Sequence, residues 1–99
     1  MLTAEFVCCF PADAAFFAGH FPGRPIVPGV LLLDQAILYA EACQGGGARR
    51  WQIAQAKFFR PVAPDEKVHY QLRESRGAWA FTARVDGAEV ASGRLQAAA

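Results

Sequence analysis

The sequence predicts an α+β fold in which a curved antiparallel sheet wraps one long helix. The first observation is a segment without glycine or proline, residues 30–44, which is apolar almost all the way round a helical wheel. The second is that segments with strand-type alternation occur once before this helix and four times after it. The short connections between the later segments predict antiparallel pairing.

Length and composition indicate a folded, single-domain protein. The 99 residues are 54% hydrophobic and 19% charged, whereas typical soluble domains have about 45–50% and about 25%. These values exclude a disordered chain, and the length predicts a single domain over residues 1–99. A domain of this size cannot bury so much apolar surface alone, so we expect a homodimer or a higher homo-oligomer.

Net charge and the number of cysteines limit the classes of partner and ligand that we expect. Ten basic and nine acidic residues leave a net charge of +1, which argues against nucleic-acid and membrane-surface proteins. Cys8, Cys9 and Cys43 form neither a disulfide framework nor a zinc motif, so we expect three reduced thiols, no metal and no cofactor. The N-terminus lacks the pattern of a signal peptide, which predicts a cytoplasmic protein.

The first half of the chain contains one strand, a loop and the helix. Residues 2–10 are rich in strand-forming residues and end at Pro11, and residues 12–18 have room for one helical turn. The run GHFPGRPIVPG, residues 19–29, has three glycines and three prolines, which predicts a rigid loop. The helix over 30–44 ends at the glycines 45–47, and we expect it to be buried on most sides.

The second half reads as four strands, residues 50–59, 67–75, 78–86 and 88–96. Asp86-Gly87 is a strong signal for a tight hairpin, because glycine tolerates positive φ. The short breaks predict that these four strands form an antiparallel meander. One strand, a buried helix and four antiparallel strands match the plan of the hotdog fold.

The segment GHFPGRPIVPGVLLLD, residues 19–34, resembles the signature of the 3-hydroxyacyl-[acyl carrier protein] dehydratases of bacterial fatty acid synthesis, the FabA/FabZ type. The segment FFRPVAP, residues 58–64, is similar to a later strand and turn of that family. The resemblance implies a hotdog fold and dehydration of 3-hydroxyacyl thioesters to trans-2-enoyl thioesters. Similar small dehydratases also occur in aryl polyene and other polyketide-like pathways.

The resemblance also implies the roles of two residues. His20 corresponds to the catalytic base of the family, and Asp34, fourteen positions later, corresponds to its acidic partner, contributed by a different subunit. The FabZ branch has Glu at this position and the FabA branch has Asp, so Asp34 agrees with the second. Leu38 stands where the family commonly has a Gln that contacts the acid, and Gln35, one residue round the helix from Asp34, cannot be assumed to substitute for it.

The chemistry of dehydration agrees with these roles. It requires a base, an acid and a dipole directed at the thioester oxygen. Histidine is largely neutral near pH 7 and can take the proton, whereas His69, in a polar strand, is expected to have no such role. The backbone N–H of Gly29, at the start of the helix, is the expected donor to the thioester oxygen. The neighbouring residues expected to contact the substrate are Phe21, Pro22, Gly23 and Val30.

Three questions remain open at this stage. Asp34 interrupts an apolar helix and needs either a proton or a donor if it is buried, but Glu41 lies on nearly the same side, so both could belong to one solvated stripe. Five basic residues are candidates for docking an acidic acyl carrier protein, or are ordinary surface charges: Arg24, Arg49, Arg50, Lys57 and Arg60. Competing functions are an acyl thioesterase and a non-catalytic acyl-carrier-binding subunit.

Overall fold

The structure is a computed structural model, and it describes residues 2–11, 26–45 and 50–97. In chain order, its elements are β1 (Leu2–Cys8), α1 (Gly29–Cys43), β2 (Trp51–Phe58), β3 (Val68–Ser75), β4 (Ala78–Val85) and β5 (Ala88–Ala97). The α+β class is therefore confirmed, and each predicted strand and the predicted helix are present with ends that move by one or two residues. The turn expected at 12–18 and most of the loop at 19–29 lie outside the described residues.

The five strands form one antiparallel sheet in the order β1-β3-β4-β5-β2. Two tight hairpins join β3 to β4 and β4 to β5, and their central residues have positive φ: 54° and 80° at Arg76 and Gly77, and 51° and 81° at Asp86 and Gly87. Two successive positive φ values are the signature of a type I′ turn, which matches the twist of paired strands. The Asp86-Gly87 hairpin is confirmed.

The predicted four-strand meander is wrong for β2. This strand pairs with β5 at one edge of the sheet, whereas β3 lies beside β1 at the other end. The connection 59–67 is long enough to pass across the sheet instead of turning back, and Val62 within it is fully buried. The amide of Val27 donates to the carbonyl of Val62 at 2.8 Å, which holds this connection against the segment that leads into α1.

One face of the sheet packs against α1 and is here called the helix face. Along β4 every second side chain is buried on this face, which gives the burial period of two expected for a strand with one face in the core. Leu32, Ala36 and Ala40 of α1 are buried against it at four-residue spacing. The hydroxyl of buried Tyr70 on β3 donates to the carbonyl of Leu32 at 2.9 Å, which fixes the helix over the centre of the sheet.

The expectation that α1 is buried on most sides is wrong for a single chain. Val30, Asp34, Leu38 and Ala42 are exposed and follow one another at four-residue spacing, so they form a stripe along the helix, here called the open stripe. Val30 and Leu38 are 60% and 57% exposed. The strand β2 is exposed along nearly its whole length, including Ile53 and Phe58. An apolar region of helix and edge strand is therefore uncovered in one chain.

Further sequence predictions concern the helix ends and the cysteines. Helix α1 ends at Cys43, and Gly45 follows with a φ of 88°, so the predicted glycine stop is confirmed at that residue. Cys8, Cys9 and Cys43 are free thiols, as expected. Within the described ranges, no helix combines the length and hydropathy needed to span a bilayer.

Candidate active site

The N-terminus of α1 offers backbone donors. Pro28 precedes the helix and contributes no side-chain cap, and the first turn has no acidic residue. The amide of Leu31 donates to the carbonyl of Pro28 at 3.0 Å, but no described residue accepts a hydrogen bond from the amide of Gly29. An uncapped helix start with positive dipole character can bind a developing negative charge on oxygen. This is the position predicted for the Gly29 donor.

The carboxylate of Asp34 lies on the open stripe, one helical turn after Val30. It is exposed, and none of the described residues donates a hydrogen bond to it or forms an ion pair with it. In a single chain Asp34 therefore belongs to an exposed stripe, which was one of the two alternatives. Glu41 is only partly buried and flanks this stripe. The remaining members, Val30, Leu38 and Ala42, are apolar, so the stripe is unlike an ordinary solvated helix face.

A cavity of about 440 Å³ opens beside Gly29. Its walls come from the start of α1, the end of β2 and the connection after β2, and include Leu32, Phe58, Pro61 and Val62. A Cβ atom on Gly29 would lie 3.0 Å from the ring of Phe58, so a glycine lets this ring pack against the helix start. The volume and apolar lining are those of a small-molecule pocket. Phe58, the last residue of β2, lines this cavity and is half exposed.

A group of polar side chains, Gln35, Tyr39 and Cys8, connects α1 to β1. Tyr39 donates a hydrogen bond to the thiol of Cys8 and accepts one from Gln35, and its ring stacks on Phe6 with centroids 4.0 Å apart. Burial and the neighbouring Cys8 raise the pKa of Tyr39 to about 12. Burial also raises the pKa of Cys8 and of the more deeply buried Tyr70. Sequence reasoning missed this group, although the one-turn spacing of Gln35 and Tyr39 was its available signal.

Three of the basic residues expected to dock a carrier protein are described, and they are spread along β2. Arg50 precedes β2, and about 25 Å of strand separates it from Arg60 at the other end. Arg60 lines the cavity beside Gly29, and its guanidinium lies 3.9 Å from the carboxylate of Glu66. Lys57 is exposed near the same end of β2. Of these three residues, Arg60 lines the cavity and Lys57 directly precedes Phe58, which also lines it.

The other predicted site residues lie outside the described ranges. They are His20, Phe21, Pro22, Gly23, Arg24 and Arg49, and their roles stay predictions. Of the predicted residues that are described, Gly29, Val30 and Asp34 lie together on the first two turns of α1. His69 is exposed on β3, as its polar strand pattern indicated.

The family follows from comparison of the sequence with known proteins. The family model described as ApeI-like, ApeI dehydratase, matches residues 2–94. The chain belongs to the ApeI-like dehydratase family. It is also 38% identical over 93 residues to the 3-hydroxyacyl-[acyl-carrier-protein] dehydratase FabZ of Acidiphilium cryptum, with 80% of this chain and 56% of that protein covered. The FabZ protein of Thiobacillus denitrificans is 37% identical, with coverage of 83% and 67%. The chain thus spans somewhat over half to two thirds of the length of these relatives.

A solved structure supports the fold of this ApeI-like chain. The Dehydratase Heterocomplex ApeI:P from Xenorhabdus doucetiae contains a chain that matches with a TM-score of 0.84 and 22% identity, covering 98% of this chain and 88% of that one. The predicted hotdog fold is therefore confirmed. The relatives described above are named FabZ, although the acidic residue of this chain is the Asp that the resemblance associates with the FabA branch.

Proposed function

We propose that this protein dehydrates 3-hydroxyacyl thioesters to trans-2-enoyl thioesters, with the acyl group carried by an acyl carrier protein. The reaction belongs to fatty acid synthesis or to a related polyene or polyketide-like pathway. The observation that carries the proposal is the start of α1, where Gly29 lines a mostly apolar cavity and Asp34 follows on the open stripe, in a chain of the ApeI-like dehydratase family.

Each step of the reaction has a group assigned to it. His20 takes the proton from the carbon next to the thioester carbonyl, and the Gly29 amide stabilises the negative charge that develops on the carbonyl oxygen. Asp34 delivers a proton to the β-hydroxyl as its C–O bond breaks, and water leaves. The electron pair of the broken C–H bond forms the new double bond. Three groups of the chain therefore suffice, and the scheme uses no metal or cofactor.

The cavity beside Gly29 fits the acyl part of the substrate. Its walls are mostly apolar, which suits a hydrocarbon chain, and it adjoins the amide that would hold the thioester oxygen. Val30 is exposed at the start of the open stripe, where it can contact the same substrate. Lys57 and Arg60 at this end of β2 are the described residues best placed to attract an acidic carrier protein.

A second chain completes the site in this proposal. None of the described residues pairs with Asp34, and the apolar members of the open stripe, together with Ile53 and Phe58 of β2, are exposed. A second copy that pairs along the edge of β2 would cover both surfaces and satisfy the free backbone groups of the strand. It would also bring its own His20 to Asp34. An alternative partner is a different dehydratase chain, because the similar solved structure is a dehydratase heterocomplex, ApeI:P.

A product assay tests the function. The protein is incubated with a 3-hydroxyacyl group on acyl carrier protein, and the products are separated by mass spectrometry. A mass loss of one water, with the thioester intact, is the expected result. Release of the free acid would instead indicate a thioesterase, and an unchanged substrate bound to the protein would indicate a non-catalytic carrier-binding subunit.

A further inference from the structure

The face of the sheet that points away from α1, here called the outer face, carries two arginines in one row. Arg73 of β3 is the cross-strand partner of Ala80 of β4, and Ala80 is the partner of Arg94 of β5. Neighbouring strands lie about 4.8 Å apart, so the two arginines stand about 10 Å apart on either side of a small alanine. Both are exposed, and two arginine side chains can converge on a group held between them.

A cavity of about 310 Å³ lies at this row. It is lined by Arg73, Ser75, Ala78, Trp79, Ala80 and Arg94. Ala80 leaves room between the two arginines, and Ala78, the partner of Ser75, leaves room beside them. The hydroxyl of Ser75 adds a further hydrogen-bond donor. The site therefore has two cationic sides and a partly apolar floor.

The two arginines have no acidic partner within the described ranges. Arg84, on the same outer face, differs because its guanidinium lies 3.9 Å from the carboxylate of Glu89. Among the described acids, Glu5 is diagonal to Arg73 across the β1–β3 pair. Glu74 follows Arg73, but its carboxylate accepts a hydrogen bond from the Gly77 amide at 3.2 Å. Uncompensated positive charge thus borders the cavity.

We propose that this outer-face cavity binds the phosphate monoester group of an organic ligand, with Arg73 and Arg94 on opposite sides of the phosphate. A carboxylate has two oxygens, which one guanidinium satisfies, whereas a phosphate monoester has three terminal oxygens and a charge near −2 at pH 7. Two converging guanidinium groups therefore match a phosphate monoester better than a carboxylate. The alanine floor accommodates the organic part of the ligand.

The proposal is separate from the dehydration site. Asp34 and the Gly29 amide belong to the helix that covers the helix face, whereas Arg73 and Arg94 point away from that helix. A phosphate monoester of this kind occurs in the nucleotide of coenzyme A, as its 3′-phosphate, and in free 4′-phosphopantetheine, whereas the arm of a carrier protein holds its phosphate in a diester. The test uses 4′-phosphopantetheine, adenosine 3′,5′-bisphosphate and inorganic phosphate as probes.

Calorimetric titration of the full chain measures the binding. We expect at least one of the two organic probes to bind saturably and more tightly than inorganic phosphate, and the tighter of the two identifies the source. Arg73→Gln and Arg94→Gln should each weaken that binding by about tenfold or more, since each removes charge-assisted hydrogen bonds. Arg84→Gln is the matched control, because it removes one arginine from the same face outside the cavity, and it should leave binding unchanged.

Backbone amide NMR shifts locate the bound probe. The expected shifts are at Arg73, Ser75, Ala80 and Arg94, and equal melting temperatures without probe show that the variants are folded. Shifts confined to Gly29–Asp34 would place the phosphate at the helix start and overturn the proposal. It is equally overturned if neither organic probe binds saturably, if the Arg84 variant loses as much affinity as the other two, or if inorganic phosphate alone binds.

Discussion

Asp34 is a carboxylate on an otherwise apolar helix stripe, and its environment depends on what covers that stripe. In one chain it is exposed and none of the described residues pairs with it. Contact with a second chain would remove water from around Asp34 and enclose its side chain between the two chains. Leu38, one turn further along the stripe, is exposed and so has no role in the core of a single chain.

Replacement of Asp34 tests its role as the acid. Asp34→Asn keeps the size of the side chain but has no acidic proton, so kcat should fall by about 100-fold or more while the fold stays intact. Glu41→Gln is the matched control on the same helix and should keep most of the activity. Steady-state kinetics on the 3-hydroxyacyl carrier substrate measure both. If Asp34→Asn only raised KM, Asp34 would be a binding residue.

Tyr39 makes the free energy of unfolding vary with pH in the alkaline range. Burial, with the neighbouring Cys8, raises its pKa from 10.0 to about 12, so the folded state keeps the proton that the unfolded state has already lost. The stabilisation is complete below pH 10 and is lost as the pH rises from 10 to 12. Cys8 and Cys43, whose pKa values burial also raises, add to this loss once the pH exceeds 9.

Urea unfolding across this range measures the effect. The free energy of unfolding of the wild type should decline between pH 9 and pH 12, and Tyr39→Phe should decline less steeply over the upper part of the range. The phenylalanine ring can keep the stacking contact with Phe6, so the comparison isolates the hydroxyl. Parallel curves for the two proteins would contradict the assigned cause.

At the scale of elements, periodicity was sufficient to predict the strands and the helix, but not the neighbour of β2. Alternation reports which residues share a face, whereas partner choice depends on how the connection 59–67 crosses the sheet. That crossing is held by buried Val62 and its hydrogen bond to Val27, which are contacts between distant parts of the chain. The turn at Asp86-Gly87 was easier, because an aspartate followed by glycine carries its own local signal.

Tyr70 joins β3 to α1, and its hydroxyl can be removed alone. Tyr70→Phe loses the 2.9 Å hydrogen bond to the Leu32 carbonyl, so the free energy of unfolding should fall by about 1 kcal/mol. Chemical denaturation at pH 7 measures this change. A variant as stable as the wild type would show that this contact does not hold the helix on the sheet.

Strand β2 is the expected edge for pairing with a second chain. Ile53→Lys places a charge at this edge and should shift the protein toward monomer, because the buried ammonium would lack a partner. Val7→Lys is the matched control, since Val7 is 55% exposed on β1, the opposite edge, compared with 47% for Ile53 on β2. Sedimentation equilibrium distinguishes the two. If both variants self-associated as strongly as the wild type, β2 would be excluded as the interface.

For the whole molecule, sequence reasoning predicted the fold class and the part of the site that lies in one continuous segment. Gly29, Val30 and Asp34 are close in sequence, so helical spacing already placed them near one another. The cavity beside Gly29 was not predicted, because its walls come from α1, β2 and the connection after β2. The Arg73–Ala80–Arg94 row was missed for a similar reason, since it depends on the register of three strands.

A dehydration site that takes His20 from one chain and Asp34 from another is tested most directly by a mixed dimer. His20→Ala and Asp34→Asn proteins, each expected to be inactive alone, are co-expressed with different tags, and the species carrying both tags is purified. One of its two sites is then doubly altered and the other is intact, so about half of the wild-type rate of enoyl thioester formation should return. A purified mixed dimer that remains inactive would contradict the shared site.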